Sequence, residues 1–316
     1  MDVLIIGAGA IGVAVGAMLG KTGCSVSFLA RQNTKACIDR NGIQKTGLFG
    51  DIALSKAQVN TYLCYEDLPD AAFDFILICA KTMANEEISG QLAQHKRIFR
   101  PNSVILIMQN GWGNEADYLR YFSKEKIFHA RVITGFERLS PNCSKITVHN
   151  APVLIGSLYH ADTSCLLPFA ACLSSAGLPC SVTDEVEKAL WAKMLYNTTL
   201  NPLSAILNLH YGALIENEYS REIMRMLVCE TFAVLSACGY STYWNRAEDY
   251  IEELFTKLIP DTYDHRSSTL QDIQKKQKTE IDTLNGCVIR LAQSHQIEVA
   301  AHRMIYDLIR SMEANF

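Results

Sequence analysis

The chain has 316 residues, 49% of them hydrophobic, and a formal net charge of −4. This length exceeds what one hydrophobic core normally supports, so we expect a globular protein with two domains. The slightly acidic balance, with a pI near 6.1, gives no basic field for a phosphate backbone and excludes nucleic acid as an expected partner.

The cysteines and histidines form no disulfide or metal-binding pattern. The 11 cysteines are an odd number, scattered among apolar segments without a C-x-x-C pair. The 8 histidines show no H-E-x-x-H or similar ligand spacing. We therefore predict reduced core thiols, a cytoplasmic location and no metal site.

The stretch of residues 3–20 contains no charge and is long enough to suggest a signal peptide or a membrane span. No basic residue precedes it, however, and its glycines fit the structural motif described next. Lys21 follows it as a helix end rather than as part of a cleavage site. We expect neither a membrane anchor nor export.

Residues 2–12 read DVLIIGAGAIG, an apolar strand followed by glycines in the G-x-G-x-x-G spacing and an apolar helix over residues 10–19. This order lets backbone N–H groups and the positive end of the helix dipole approach a pyrophosphate. Such spacing also serves close helix packing, but its place after a first strand favours dinucleotide binding. The cofactor-binding residues predicted here are Gly7, Ala8, Gly9, Ala10, Ile11 and Gly12.

The second predicted strand, residues 25–30, ends at Arg31, 19 residues after Gly12. An acidic side chain at this position would bind the ribose 2′-hydroxyl of NAD, whereas an arginine can pair with the 2′-phosphate of NADP. Arg31 therefore favours NADP as the cofactor. The alternative is an exposed arginine at a strand end with no role in binding.

Two further apolar strands, residues 73–80 and 103–108, are followed by Lys81 and by the segment that contains Asn110. Ligands of open parallel sheets gather at the carboxyl ends of strands, so both residues lie where a bound dinucleotide would run. Each signal is weak by itself, because Asn-Gly turns and solvated lysines are common in loops. Residues 41–60 are predicted to form peripheral hairpin strands.

The character of the chain changes near residue 183. Short strands and a helix precede this point, and no convincing strand follows it. The periodicity predicts helices over residues 185–207, 217–237, 247–258, 272–291 and 302–312. The predicted fold class is α/β, with an N-terminal Rossmann-type doubly wound sheet (residues 1–183) followed by an all-α C-terminal domain (residues 184–316). We expect substrate to meet NADP in a cleft between these two domains.

The segment of residues 187–202 reads EKALWAKMLYNTTLNP. Lys193, Asn197 and Asn201 are spaced four residues apart and share one face of the predicted helix. The rest is so apolar that we expect burial nearly all round. Desolvation lowers a lysine's pKa, as a proton donor near neutral pH requires. The alternative is a lysine that extends to water and asparagines that cap a helix broken at Pro202.

Residues 267–286 read SSTLQDIQKKQKTEIDTLNG. If one long helix runs through this segment, Ser268 and Glu280 can face the same cleft, and Glu280 is then an available partner for Lys193. The alternative for Glu280 is a solvated charge beside Lys276 and Lys278, and the spacing alone favours this alternative.

The chain resembles the ketopantoate reductase (2-dehydropantoate 2-reductase) family over essentially its whole length. The motifs that carry the resemblance are GAGAIG, Arg31, the strand ends at Lys81 and QNGWG, LWAKMLYNTTLNPLSAI and SSTLQDIQKKQKTEIDTLNG. The last two are specific when taken together, whereas many dehydrogenases share the glycine loop. The resemblance implies NADPH-dependent reduction of 2-dehydropantoate to (R)-pantoate, which feeds pantothenate and coenzyme A synthesis.

The resemblance also implies roles for individual residues. Lys193 is similar to the general acid that protonates the C2 oxygen of a 2-oxo acid while NADPH delivers hydride to carbon. Arg31 and Lys81 resemble the pair that grips the 2′-phosphate. Asn110 is similar to the residue beside the nicotinamide, and Glu280 to the carboxylate that closes the pocket. The substrate-binding residues implied are Asn110, Lys193, Asn197, Asn201 and Ser268.

The chain departs from the family pattern at Tyr211, where the family often has an asparagine that contacts substrate, and lacks a common proline near residues 299–300. A phenol in place of a small amide can narrow the pocket. One alternative is therefore a reductase of the same fold for another 2-oxo or 3-hydroxy acid. Another is a non-catalytic NADP-binding sensor, which would need no pairing of Lys193 with Glu280. The expected partner is a small 2-oxo acid, and the sequence leaves a homodimer open.

Overall fold

A computed structural model describes all residues, Met1–Phe316. The chain divides into two compact units. The first comprises Met1–Gln109 and Asn114–Val186, and the second comprises Asn110–Gly113 and Glu187–Phe316. A four-residue loop that is surrounded in the sequence by the first unit therefore belongs to the helical second unit.

The first unit contains twelve strands in two sheets. They are β1 (Asp2–Ile6), β2 (Ser25–Leu29), β3 (Ile43–Gly47), β4 (Ile52–Leu54), β5 (Val59–Tyr62), β6 (Phe73–Ile78), β7 (Phe99–Ile107), β8 (Ile127–Arg131), β9 (Thr134–Ser140), β10 (Cys143–His149), β11 (Val153–Gly156) and β12 (Cys180–Val182). The larger sheet has the order β12-β11-β8-β7-β6-β1-β2-β5, and its strands are parallel except where β11 pairs with β8. The strand order changes direction between β1 and β6, which is where open α/β sheets bind ligands.

Helices cover both faces of the larger sheet. They are α1 (Ala10–Lys21), α2 (Gln32–Asn41), α3 (Asn85–Gln94), α4 (Ala116–Leu119) and α5 (Leu167–Ser175). Alternate side chains of β1 point to opposite faces, so Val3 and Ile5 join the core that contains α1, while Leu4 and Ile6 join the core that contains α3. Two apolar faces explain why these strands read as continuous hydrophobic runs.

The smaller sheet has the order β4-β3-β10-β9. It packs on α1 through the shared apolar core and through Ser144, whose Oγ donates a hydrogen bond to the Ala10 carbonyl at 2.7 Å. Residues 41–60 contribute the antiparallel pair β3 and β4, as the predicted peripheral hairpin requires, and β5 joins the edge of the larger sheet.

The second unit contains helices and no strand. They are α6 (Val186–Leu207), α7 (Tyr211–Glu216), α8 (Glu218–Cys238), α9 (Ala247–Glu253), α10 (Ser268–Gln274), α11 (Asn285–Ser294) and α12 (Ala300–Glu313). A π-helical turn, Leu254–Leu258, extends α9. Apolar side chains of α6, α7, α8 and α9 form its main core. The predicted fold class is thus confirmed. No helix of the chain combines the length and apolar character that a bilayer crossing requires.

Helix α6 continues through Pro202 instead of breaking there, so the alternative of a helix broken at this residue is wrong. Proline has no N–H to donate to the carbonyl of Thr198, four residues earlier. The Nδ2 of the fully buried Asn285 donates to that carbonyl at 3.0 Å and satisfies it. A side chain from α11 therefore replaces the missing backbone donor.

The prediction of one helix over residues 272–291 is wrong. Helix α10 ends at Gln274, and α11 begins only at Asn285. Lys276 has a φ of +52°, and the Gln277 amide donates back to the carbonyl of Asp272. A residue in the left-handed region closes a helix in this way because it turns the next amide toward the last carbonyls. Ser268 consequently lies on α10, whereas Glu280 lies in the loop between α10 and α11.

All cysteines are free thiols, but not all of them are core residues. Only Cys24, Cys180 and Cys287 are buried, and the others are partly or fully exposed. Cys79, Cys165 and Cys172 pack against the core of the first unit as partly buried side chains, so the prediction of core thiols is wrong only for the other five positions.

Candidate active site

Three predicted site residues of the second unit form one hydrogen-bonded chain. The Nζ of Lys193 donates to the Oδ1 of Asn110 at 2.5 Å, and the Nδ2 of Asn110 donates to the Oε2 of Glu280 at 3.2 Å. All three side chains are half-buried. A cation at its oxygen and a carboxylate at its nitrogen leave the Asn110 amide one orientation, so the ammonium group is held at a defined point.

The loop of residues 110–113 is fixed against the segment that carries Glu280. Gly111 has a φ of +94°, and a Cβ at this position would lie 2.6 Å from the Cβ of Thr283. The Trp112 amide donates to the Thr283 carbonyl at 3.0 Å. Only glycine fits both the backbone conformation and this close approach. These contacts hold Asn110 next to Glu280.

An aromatic cluster fixes the rotation of α6 about its axis. Trp191 on α6 is fully buried, and its ring lies 4.8 Å from that of Trp112 and 5.5 Å from that of Tyr240. Trp112 and Tyr240 lie 5.0 Å apart, which closes the cluster. Because Trp191 precedes Lys193 by two positions, anchoring the indole also anchors the face that carries the lysine.

Asn197 and Asn201 lie one and two turns beyond Lys193 on α6, and both are buried. The amide of Asn197 makes no hydrogen bond within the protein. The Oδ1 of Asn201 accepts a hydrogen bond from the hydroxyl of Tyr211 at 2.6 Å. Burial holds the pKa of Tyr211 well above its ordinary value, so the phenol stays protonated and donates. The Nδ2 of Asn201 and the Asn197 amide remain as polar groups that a ligand can use.

The structure does not bring Ser268 into contact with this set, because Ser268 is exposed as the first residue of α10. Its neighbour Ser267 is fully buried, and its Oγ donates to the Asn201 carbonyl at 3.0 Å. The same Oγ accepts from the Leu270 amide and caps α10. Sequence reasoning missed Ser267, although a serine before a helical segment is a recognised cap signal.

The glycine turn of the first unit has the features of a dinucleotide cradle. A Cβ on Gly7 would collide with the backbone of Ala80, and one on Gly12 with the carbonyl of Gly7, so both are required by packing. A Cβ on Gly9 would meet no atom within 4 Å. The backbone at Gly9, at the N-terminus of α1, is therefore open to a ligand, and unpaired amides of the first helical turn suit a pyrophosphate.

Arg31 and Lys81 follow β2 and β6 in the first unit, and both are exposed. Arg31 occupies the N-cap position of α2, makes no side-chain capping bond, and lines a cavity of about 530 Å³. The remaining lining residues are Gln32, Asn33, Thr34, Arg138, Ser140 and Pro141. Lys81 is not part of this lining, so the structure does not join the two predicted phosphate-binding cations in one cavity.

A buried polar cluster joins the carboxyl ends of β6 and β7. The Nε2 of Gln109 donates to the Ala80 carbonyl at 2.7 Å and to the Oδ1 of Asn85 at 2.8 Å. The hydroxyl of Tyr118 donates to the same oxygen at 3.3 Å. Because Ala80 is the residue against which Gly7 packs, this cluster supports the glycine turn. Gln109 was not predicted, although it stands beside Asn110 in the sequence.

The fold and these residues define an oxidoreductase of the Rossmann type with a separate helical unit. The family described as "Ketopantoate reductase PanE/ApbA" matches residues 3–159, and "Ketopantoate reductase PanE/ApbA C terminal" matches residues 185–313. The chain belongs to the ketopantoate reductase family. This confirms the predicted family and enzyme class, and a nicotinamide cofactor, NAD(P), is the family's hydride source.

Individual relatives match over the whole length. The 2-dehydropantoate 2-reductase of Aquifex aeolicus is 32% identical over 314 residues, which cover 99% of this chain and 97% of the relative. A ketopantoate reductase structure from Ralstonia eutropha JMP134 is 28% identical with a TM-score of 0.86, covering 100% of this chain and 99% of that one. D-mandelate dehydrogenase in complex with NADH and anilino(oxo)acetate, at 21% identity and a TM-score of 0.87 over 100% and 99% of the two chains, is similar in fold.

Proposed function

We propose that this protein reduces 2-dehydropantoate to (R)-pantoate with NADPH, the step that feeds pantothenate and coenzyme A synthesis. The observation that carries the proposal is the chain from Lys193 through Asn110 to Glu280, which holds an ammonium group at a defined point of a largely buried helix. Full-length relatives named 2-dehydropantoate 2-reductase support it.

The chemistry requires a hydride, a proton and charge stabilisation at the carbonyl oxygen. Bound NADPH supplies the hydride to the C2 carbon. Lys193 donates the proton to the C2 oxygen, and its positive charge stabilises the negative charge that develops there. Asn110 and Glu280 keep the ammonium group in place before the substrate arrives, so little reorganisation is needed during the reaction.

The substrate is a small 2-oxo acid with a carboxylate and a hydroxyl group. The amide groups of Asn197 and Asn201 that are not used within the protein are the proposed donors and acceptors for it. Ser268 is the proposed further contact, and Asn110 is the proposed contact beside the nicotinamide. The proposed division of labour is NADP binding by residues 1–183 and substrate binding and catalysis by residues 184–316, in a cytoplasmic protein that can form a homodimer.

NADPH rather than NADH is the proposed reductant. Arg31 occupies the position whose side chain contacts the ribose 2′ group in dinucleotide-binding folds. The first turn of α2 contains no acidic residue. Lys81 is the second proposed cation for the 2′-phosphate, and Glu280 is a further proposed cofactor-binding residue. If this assignment is correct, Arg31→Ala reduces the preference for NADPH over NADH in steady-state kinetics.

The decisive experiment follows NADPH absorbance after addition of 2-dehydropantoate. A positioned acid contributes about 10²–10⁴-fold to rate, so Lys193→Ala should lower kcat by about that factor while NADPH binding stays intact. Lys257→Ala, which removes an exposed lysine of the same unit, is the matched control and should turn over normally. Turnover of Lys193→Ala at the wild-type rate would exclude Lys193 as the acid.

A reductase for a different 2-oxo or 3-hydroxy acid is the second candidate, and Tyr211 favours it. Its hydroxyl donates to the Oδ1 of Asn201 and uses one of that oxygen's two lone pairs, so less of the amide is left for a substrate. A panel of branched and unbranched 2-oxo acids, compared by kcat/KM, discriminates the two candidates. NADPH binding without oxidation by any acid of the panel would instead indicate a non-catalytic sensor.

A further inference from the structure

We propose that Arg138 is a specificity-determining residue that binds, together with Arg31, the 2′-phosphate of the nucleotide. The inference rests on the proposed use of NADPH and adds a residue that the sequence motif does not contain. Arg138 lies on β9 in the smaller sheet, more than one hundred residues from Arg31. Both side chains line the same cavity of about 530 Å³.

Hydrogen bonds hold the Arg138 guanidinium group over the first turn of α2. Its Nη2 donates to the Oγ1 of Thr34 at 2.9 Å and to the carbonyl of Pro141 at 3.4 Å. Arg31 is the residue that precedes α2, and Thr34 lies in its first turn. The Nε and Nη1 groups of Arg138 make no hydrogen bond within the protein and remain available as donors.

The charges around this cavity suit a dianion. Its lining contains two arginines and no carboxylate. Helix α2 spans ten residues, so its N-terminus adds a partial positive charge, and no acidic side chain in the first turn offsets it. Guanidinium groups pair with phosphate oxygens through two parallel N–H donors, which a ribose hydroxyl cannot match. The cavity therefore distinguishes a 2′-phosphate from a 2′-hydroxyl.

Calorimetric titration of the full chain with two nucleotide fragments tests this inference without catalysis. The fragments are adenosine 2′,5′-bisphosphate and adenosine 5′-monophosphate, which differ only in the 2′-phosphate. We expect Arg138→Ala to weaken binding of the bisphosphate about tenfold, the loss typical of a hydrogen bond to a charged group, and binding of the monophosphate less than twofold. Arg40→Ala, at the opposite end of α2, removes the same charge and should change neither affinity.

Two further variants separate position from charge. Thr34→Val removes the hydroxyl that holds Arg138, so we expect a smaller loss for the bisphosphate alone. Arg138→Lys keeps the charge without the planar pair of donors and should recover only part of the affinity.

The outcomes distinguish the inference from the proposed function. If wild type prefers the bisphosphate and Arg31→Ala abolishes this preference while Arg138→Ala preserves it, Arg138 has no such role and the use of NADPH stands. Equal affinity of wild type for both fragments would overturn both. If fragment selectivity follows Arg138 but 2-dehydropantoate is not reduced, the inference holds and the proposed substrate is wrong.

Discussion

At the scale of single residues, the hydrogen bond from Asn110 to Glu280 can be tested by exchanging the donor and the acceptor. Asn110→Asp keeps an acceptor for Lys193 but replaces the Nδ2 donor, so two carboxylates meet in a half-buried place. We expect kcat to fall about tenfold to a hundredfold, because like charges at contact distance push the side chains apart. Adding Glu280→Gln restores a donor on the other partner and should recover most of the loss.

The control for this double-mutant cycle is Glu280→Gln alone, in which the amide oxygen can still accept from Asn110. A small effect of that single change is expected if Glu280 acts by orienting Asn110. Double-mutant kcat no better than that of Asn110→Asp would contradict the positioning role, since nonadditive recovery is the signature of a direct bond.

The hydrogen bond from the Tyr211 hydroxyl to Asn201 contributes to stability, and its contribution can be measured by unfolding. Tyr211→Phe leaves the buried Oδ1 of Asn201 without its donor, and we expect unfolding by urea to require about 1–3 kcal/mol less free energy. Tyr219→Phe is the matched control, because Tyr219 is 74% exposed and the loss of its hydroxyl leaves no buried group without a partner. Equal stability of the two variants would mean that water or another group satisfies Asn201.

At the scale of elements, the continuity of α6 depends on Asn285 of α11. Asn285→Ala leaves the Thr198 carbonyl without a donor, and we expect a loss of about 2–3 kcal/mol in the free energy of unfolding. Pro202→Ala supplies a backbone N–H to the same carbonyl. In the Pro202→Ala background, Asn285→Ala should therefore cost about 1 kcal/mol less. Strictly additive losses, measured by urea unfolding, would show that Asn285 does not replace the missing donor.

Much of this architecture could be predicted from local pattern. The four-residue spacing of Lys193, Asn197 and Asn201 identified α6 because helical geometry alone puts those side chains on one face. The apolar runs identified β1, β2, β6 and β7 because burial on both faces demands them. The glycine turn and Asn110 could be predicted as site residues because each directly follows an apolar strand.

The remaining features depend on contacts that are distant in sequence. Nothing in the neighbouring serines 267 and 268 tells which one faces α6, because that depends on where α10 begins. The helix predicted through Glu280 ended early because Lys276 adopts a left-handed conformation, which lysine rarely does. Arg138 could not be placed beside α2 without the pairing of β9 with β10.

At the scale of the whole molecule, the division of the chain allows each unit to be followed by a different measurement. The protein has 3 tryptophans, and Trp112, Trp191 and Trp244 all belong to the second unit. Trp112 does so because the loop of residues 110–113 packs with the helices. Tryptophan fluorescence therefore reports unfolding of the unit that contains Lys193, whereas nucleotide binding reports the first unit.

This probe can follow the pH dependence that a buried histidine imposes on the second unit. His302 is fully buried, its Nδ1 lies 3.1 Å from the Nδ2 of Asn285, and its Nε2 lies 2.9 Å from the Oγ1 of Thr231 and 3.0 Å from the carbonyl of Leu227. Burial lowers the pKa of His302 from 6.5 to about 4, and the bond to Leu227 opposes this only in part. The imidazole is therefore neutral in the folded protein at neutral pH.

The direction of the effect follows from which state binds the proton first. Below pH 6.5 the unfolded chain protonates His302, whereas the folded chain does not until about pH 4. The free energy of unfolding therefore decreases as the pH is lowered through this window, and His302 has no effect on it at higher pH. The difference corresponds to about 3 kcal/mol. His302→Gln should flatten, without abolishing, the decline of urea stability followed by tryptophan fluorescence, because burial also lowers the pKa of His265. An unchanged slope would show that the imidazole is already protonated in the folded state, which the buried network around Asn285 does not accommodate.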